Sequence, residues 1–383
     1  MSSSSINEKQ VHSFVEGVFG EELHSKRVLS LALATLGVIH AASLSVYAIG
    51  QALAEARGTQ GKHGVKQVDR LLSNTGLSLW ELFALWVPFV LGQRTQALVN
   101  MDWTDFEADD HTTLVVSLVT GHGRSTPLVW LTVQKSLLKG MRNEVEDAVL
   151  VRLREVIPSC VKVTVLADRG FADQKLYALL KQLGFDYVVR FRQCIAVTSA
   201  DGERRKAADW VPEAGRARKL LKARVTADMA QVGAVVCVKK KGMKQPWCLA
   251  TSHQELSASQ IIRLYSRRFT IEEGFRDVKD LRFGMGLSSF RIAEPERRDR
   301  MLLLAAMACA LLTLLGAAGE SLGMERYLKA NTDKRRTYSL FRQGCMYYRA
   351  LPNMPEHRMR PLLERFAQLV SEIPFFREIF GFI

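Results

Sequence analysis

Residues 96–104 read QALVNMDWT. A mostly apolar run of this length predicts a buried strand, here ending at the carboxylate of Asp102. The segments after it decide what kind of sheet this strand belongs to. TTLVVSLVT (112–120) and STPLVWLTV (125–133) are two further strand-like runs, joined by the turn GHGR. Together the three read as consecutive antiparallel strands. RNEVEDAVLVRLREVI (142–157) then has the spacing of an amphipathic helix. CVKVTVLAD (160–168) is a buried strand closing on Asp168, ADQKLYALLKQLG a helix and FDYVVRF another strand.

Three strands followed by helix, strand, helix and strand is the element order of a ribonuclease-H-like mixed sheet. The expected fold class is therefore α/β. Fold order alone does not give function. From residue 192 to about 256 the alternation breaks into short β-like pieces (CIAVTSA, GAVVCVKKKG, WCLATS) and basic turns. We read this as a β-rich insertion between two parts of the core, 95–191 and 257–320. Residues 1–94 read as a helical N-terminal domain and 321–383 as a helical C-terminal region. In the N-terminal part, HSKRVLSLALATLGVIH, SLSVYAIGQALAEAR, VKQVDRLLSN and SLWELFALWVPFVLGQR are helical patterns separated by tight turns. Short helices with such turns are compatible with a helix-turn-helix DNA reader and equally with a plain bundle. Lys62, His63, Lys66 and Arg70 fall on or just before one of these helices, where they would meet phosphates or solvent.

Charge narrows the classes of partner. The 383 residues carry 53 Lys and Arg against 39 Asp and Glu, a net charge of +14. A surplus of that size points to a polyanion, most often nucleic acid. Cys160, Cys194, Cys237, Cys248, Cys309 and Cys345 include no Cys-x-x-Cys pair and no neighbouring His cluster. That argues against a zinc site or a disulfide framework and for reduced thiols. The start, MSSSSINEKQ, lacks the basic and apolar regions of a signal peptide. MLLLAAMACALLTLLGAAG (301–319) is long enough to cross a bilayer, but its alanines and glycines fit a buried core helix better.

The candidate chemistry is acidic. In a sheet of the expected order the first and fourth strands are neighbours, which brings Asp102 and Asp168 close together. Like charges at short range repel unless a cation lies between them. A hard divalent cation with oxygen ligands resolves the repulsion. A third carboxylate should come from a helix after the insertion, and LYSRRFTIEEGFRDVKD (264–280) supplies two. At about 100° per residue, a continuous helix puts Tyr265, Arg268, Glu272, Arg276 and Lys279 on one narrow face. Glu273 falls outside it. Leu264, Ile271, Phe275 and Val278 form an apolar stripe on the flank. Glu272 is thus the glutamate ringed by phosphate-binding groups and the candidate metal ligand.

The spacing Tyr265-x2-Arg268-x3-Glu272-x6-Lys279 resembles the Tyr-Arg-Glu-Lys (YREK) signature of a family of bacterial insertion-sequence transposases, cut-and-paste enzymes of the DDE type. VNMDWTDF and LADRGFAD resemble that family's first-Asp and second-Asp motifs. KHGVKQVDRLLSN resembles its end-binding segment, PWCLATS the end of its β insertion, and KANTDKRRTYSLFRQG its C-terminal region. The resemblance implies that Asp102, Asp168 and Glu272 form a catalytic, metal-binding triad for two Mg2+ ions, with Mn2+ able to substitute. It implies that Tyr265, Arg268 and Lys279 grip phosphates near the cleaved end, with Arg169 and Arg276 as further contacts. It implies that Trp247 stacks a flipped base during hairpin formation, and that Lys62, Lys66 and Arg70 take part in end recognition. The implied partners are double-stranded DNA, as terminal inverted repeats and target, and a second copy of the chain in a synaptic dimer. No membrane is implied, and the implied location is the cytoplasm, at the nucleoid. The alternative is a DNA-binding repressor or domesticated protein of the same fold that does not cleave.

Overall fold

A run of helices precedes the first strand in the computed structural model, which describes residues 6–213, 215–282 and 284–371. These are α1 (Glu8–Phe19), α2 (Ser25–Ala41), α3 (Val46–Arg57), α4 (Gly61–Leu72) and α5 (Leu79–Leu91). Residues 1–5 and the hydrophobic end PFFREIFGFI lie outside the described residues. Side-chain caps begin several of these helices, as expected for Asn and Ser at that position: Asn7 and Gln10 form a reciprocal capping box on α1, and Ser45 caps α3. Helices α3 and α4 cross very closely, because a Cβ at Gly64 would lie 2.1 Å from the carbonyl oxygen of Gly50.

The core follows as β1 (Gln96–Phe106), β2 (His111–Val119), β3 (Ser125–Gln134), α6 (Arg142–Val156), β4 (Lys162–Ala167), α7 (Gln174–Gln182) and β5 (Asp186–Phe191). Next come the short strands β6 (Ala196–Thr198), β7 (Arg204–Lys206), β8 (Arg218–Leu221), β9 (Arg224–Val225) and β10 (Ala230–Gln231), then β11 (Ala234–Val238) and β12 (Trp247–Thr251). The chain ends in α8 (Ala258–Ser266), α9 (Thr270–Lys279), α10 (Pro295–Ser321), α11 (Leu340–Ala350) and α12 (Glu356–Ser371). The architecture is a mixed α/β one with a large mixed sheet.

Among the described residues the strands form an eight-stranded sheet, β3-β2-β1-β4-β5-β12-β11-β8, and a four-stranded sheet, β10-β9-β6-β7. β1 and β4 are parallel neighbours, paired from Gln96↔Lys162 to Met101↔Ala167. The segment read as an insertion differs from expectation in one respect. β8, β11 and β12 extend the main sheet beyond β5, and β6, β7, β9 and β10 make the separate small sheet. The reason is that β12 pairs with β5 through Cys248↔Phe191 to Thr251↔Val188, continuing the ladder. All six cysteines are free thiols.

One face of the main sheet buries Leu98, Leu166, Val188 and Leu249 against Ile261, Ile262 and Tyr265 of α8. The other face packs into the larger core with α5, α6 and α10. α10 is long and apolar enough to cross a membrane, and most of its apolar window is buried inside the protein. It packs most closely on α11, where a Cβ at Gly344 would lie 1.8 Å from the carbonyl oxygen of Leu312.

α10 also carries Asp299 into the core, where its carboxylate accepts from the Thr132 N–H (3.0 Å) and the Thr132 hydroxyl. Burial pushes this carboxyl up to about 7, against those hydrogen bonds. A folded pKa above the unfolded one contributes stability that is complete below the unfolded value and is lost as pH rises through about 7. Denaturation midpoints measured from pH 4 to 8 should therefore carry a falling component due to Asp299. Asp299→Asn should flatten that component, and an unaltered slope in the variant would contradict it.

Candidate active site

The strand pairing sets the first two carboxylates side by side. β1 does not end at Asp102 as its sequence suggested. It continues to Phe106, because β2 still pairs with it through Phe106↔His111. It is β4 that stops, at Ala167, so Asp102 lies one residue beyond the last β1–β4 pair and Asp168 follows the end of β4. With side chains alternating along a strand, Asp102 shares the face of Leu98 and Asn100, and Asp168 that of Leu166. This is the face covered by α8.

The third carboxylate arrives after a break. Residues 257–281 do not form one helix. α8 ends at Ser266, Arg267–Phe269 form a 3-10 turn, and α9 restarts at Thr270. Asn100 holds this turn, its Nδ2 donating to the Arg268 carbonyl (3.2 Å) and to Thr270 Oγ1 (3.1 Å). The tighter turn shifts the phase between α8 and α9, so the single face drawn for Tyr265 to Lys279 is not kept intact.

Tyr265, fully buried, donates its hydroxyl to Asp168 Oδ1 at 3.3 Å. Arg268 reaches Asp102 Oδ2 with Nη1 (2.9 Å) and Glu272 Oε1 with Nη2 (2.6 Å). Lys279 lies over the Phe106 ring and donates to Thr104 Oγ1 at 2.9 Å. Arg276 leaves this group and pairs with Glu273, which also faces Arg124 at 3.8 Å. The division has a simple cause: both glutamates are within one turn of Arg276, and Glu272 is already taken by Arg268. Side-chain exposure rises from 22% at Asp102 through 31% at Asp168 to 53% at Glu272, so the cluster opens to solvent on the α9 side.

Burial raises the Asp102 carboxyl above its ordinary range, with Arg268 pulling the other way and Asp168 adding to the rise. Burial also works against the charge of Arg268. Tyr265 and the three carboxylates more than offset it and hold the guanidinium above its usual value. Burial lowers Lys279, opposed by Asp105.

Trp247 opens β12 and is half-buried. It meets Tyr265 edge-on at 4.9 Å and lies tilted against Phe269 at 6.0 Å. Phe269 is 39% exposed, so the pair forms an aromatic ledge beside the carboxylates. Arg169, exposed, reaches Gln245 Oε1 at 3.2 Å, linking the loop after β4 to the β11–β12 hairpin. Far along the chain, His63, Lys66 and Arg70 of α4 line a concave surface together with Arg27 of α2. Lys62 lines the neighbouring hollow with Tyr47 and Lys66.

Some residues escaped the sequence reading. Arg190 on β5 lies 3.9 Å from Asp168 Oδ1. Buried Glu146 accepts from Trp103 Nε1 (2.8 Å) and Arg142 Nε (2.9 Å), bracing the strand segment that carries Asp102. Asn100 had a legible signal, standing two residues before Asp102 on the same strand face. Arg27, Arg190 and Glu146 had none, since each depends on a distant segment.

Three carboxylates are hard oxygen donors of the kind that Mg2+ or Mn2+ takes. Their present arrangement does not close around an ion. Among the described residues no three His, Cys, Asp or Glu side chains converge where a metal could sit. The guanidinium of Arg268 occupies the space between Asp102 and Glu272.

Residues 138–311 match the transposase DDE domain family. The match supports a transposase function and an enzyme acting on DNA. It spans α6 through most of α10, with Asp168 and Glu272 inside it and Asp102 before it. No curated protein matches the chain.

Proposed function

We propose that this chain is a cut-and-paste DNA transposase of the YREK type, built on a ribonuclease-H-like core, with Asp102, Asp168 and Glu272 as its catalytic carboxylates. The observation that carries the reading is the gathering of these three side chains, from β1, the end of β4 and α9, around Arg268, with Tyr265 on Asp168. A divalent metal, once bound, would supply Lewis-acid stabilisation of the charge developing in phosphoryl transfer. With one such cluster taken as the site among the described residues, both strands of a transposon end are cut in succession: a nick, attack of the freed 3′-hydroxyl on the opposite strand to give a hairpin, hairpin opening, then joining to target DNA. We assign phosphate contacts to Arg169 and Lys279 near the cluster, to Arg276 beyond it beside Glu273, and to Tyr265 and Arg268 once their present partners release them. The C-terminal helices are the proposed contact between two copies. The rival reading, DNA binding without cleavage, draws on the same Arg268, which holds the cluster in a form that does not close on metal.

The Trp247–Phe269 ledge supports base stacking during hairpin formation. Stacking on an aromatic side chain stabilises a base by about 1–3 kcal/mol. Trp247→Ala should therefore nick end-bearing DNA normally and lose about tenfold or more in hairpin yield. Gel analysis of the products checks this, and an unchanged hairpin yield would return Trp247 to a packing role.

The concave surface of α2 and α4 supports recognition of the transposon ends, since Arg27, His63, Lys66 and Arg70 present donors along one face. Each phosphate contact adds about 0.9 to the slope of log affinity against log salt. The double variant Lys66→Ala, Arg70→Ala should lower that slope by up to about 2 in band-shift titrations. An unchanged slope would place DNA elsewhere.

A further inference from the structure

Arg268 is only 4% exposed, yet two of the three catalytic carboxylates depend on it. Its backbone is anchored by Asn100 and its side chain ends on Asp102 and Glu272. Its third nitrogen position, Nε, is buried and has no hydrogen-bond partner among the described residues. A buried donor left unpaired carries the full desolvation cost of that group. The guanidinium is therefore held by charge rather than by a complete set of hydrogen bonds. Glu272, at the other end of the pair, is more than half exposed, so water and ions reach this side of the cluster.

We propose that Arg268 is an internal counter-cation of the carboxylate cluster, and that a divalent cation gains Asp102 and Glu272 as ligands by displacing its guanidinium. The inference rests on the reading of Asp102, Asp168 and Glu272 as a metal site. Neighbouring carboxylates need positive charge between them. Arg268 supplies one unit of it and occupies Oδ2 of Asp102 and Oε1 of Glu272, oxygens that a metal would take directly. A displaced guanidinium is then available to another anion of matching geometry, and a phosphodiester fits its planar fork. Metal entry and DNA grip are coupled by this exchange. Coupling of two binding events is reciprocal, so DNA that captures Arg268 tightens metal binding by the same factor. A side chain that merely positions the carboxylates predicts the opposite sign, because its loss would weaken metal binding.

The test is Mn2+ affinity in the absence of DNA, measured from the electron paramagnetic resonance signal of free Mn2+. It compares the wild type with Arg268→Gln, Arg268→Lys and Glu272→Gln. Removing one positive charge beside the cluster should tighten Mn2+ binding by about tenfold or more. Arg268→Lys keeps the charge and should stay near the wild type. Weaker or unchanged binding in a folded Arg268→Gln protein overturns the proposal. If that variant does not fold, the unaltered protein labelled with 15N-arginine answers the question. The Arg268 Nε–H resonance, assigned from its loss in Arg268→Lys, should move in step with Mg2+ saturation, and a resonance that stays put overturns the proposal. The Glu272→Gln control separates the two levels: Mn2+ bound as tightly as by the wild type removes the metal site itself, not only the role of Arg268.

Discussion

Glu272→Gln should abolish DNA cleavage while Glu273→Gln leaves it nearly intact. The two glutamates are adjacent in sequence and differ in surroundings. Glu272 shares Arg268 with Asp102, whereas Glu273 pairs with Arg276 and faces Arg124. Loss of an outer partner at a metal centre typically costs about 10–100-fold. Loss of the carboxylate itself should exceed about 100-fold in the rate of nicking. The amide keeps the shape of the side chain and a hydrogen-bond acceptor for Arg268, so folding and DNA binding should survive. Rates of single-turnover nicking, with band-shift affinity as the companion measurement, check the prediction. Full cleavage by Glu272→Gln would remove it from the catalytic set, and loss in Glu273→Gln alone would move the role one residue along.

Arg298→Met should be strongly destabilising while leaving the carboxylate cluster untouched. Arg298 lies on α10 with no exposed surface, pairs with Asp109, donates from Nε to His111 Nδ1 at 3.1 Å and covers the Phe106 ring at 3.9 Å. Phe106 ends β1, so this contact ties the long helix to the strand that carries Asp102. Methionine preserves much of the volume and leaves Asp109 buried with its charge unpaired. Breaking a buried pair in this way costs about 3–5 kcal/mol. With about 2.1 cal/mol/K of unfolding entropy per residue, each kcal/mol lowers the melting temperature of a chain of this length by about 1 °C, so a drop of roughly 4–6 °C is expected. Adding Asp109→Asn should recover part of it, since the stranded charge is then gone. A melting temperature within about 2 °C of the wild type would show that the pair contributes little.

The parts of the fold that were legible are those where local pattern and tertiary role agree. The apolar runs before Asp102 and Asp168 became β1 and β4, and RNEVEDAVLVRLREVI became α6 with nearly the expected ends. The parts that were not legible depend on contacts between distant segments. Nothing in Arg267-Arg268-Phe269 marks a helix break: it has no Pro or Gly, and its charged pattern continues helical spacing. The break follows from Asn100, which grips the turn from 168 residues away in sequence. The burial of Arg268 is equally hidden, because an arginine in a charged run reads as solvated. The extension of the sheet by β8, β11 and β12 rests on pairing with β5, which short β-like pieces do not specify. For the site, the spacing put Tyr265, Arg268 and Glu272 together, and the structure links Arg268 to Glu272 and Tyr265 to Asp168, whereas Arg276, expected beside Glu272, pairs with Glu273. The guanidinium standing between two of the carboxylates was not legible.

The most direct measurement is end cleavage and joining by the unaltered protein. A labelled duplex carrying the DNA that flanks the coding sequence is incubated with the protein, Mg2+ and a supercoiled target plasmid, with Asp168→Asn in parallel. Nicked, hairpin and plasmid-joined products are expected with the wild type, and DNA bound but uncut with Asp168→Asn. Wild-type protein that binds these ends and yields no nick with Mg2+ or Mn2+ would contradict the proposed cleavage and leave a DNA-binding protein that does not cleave.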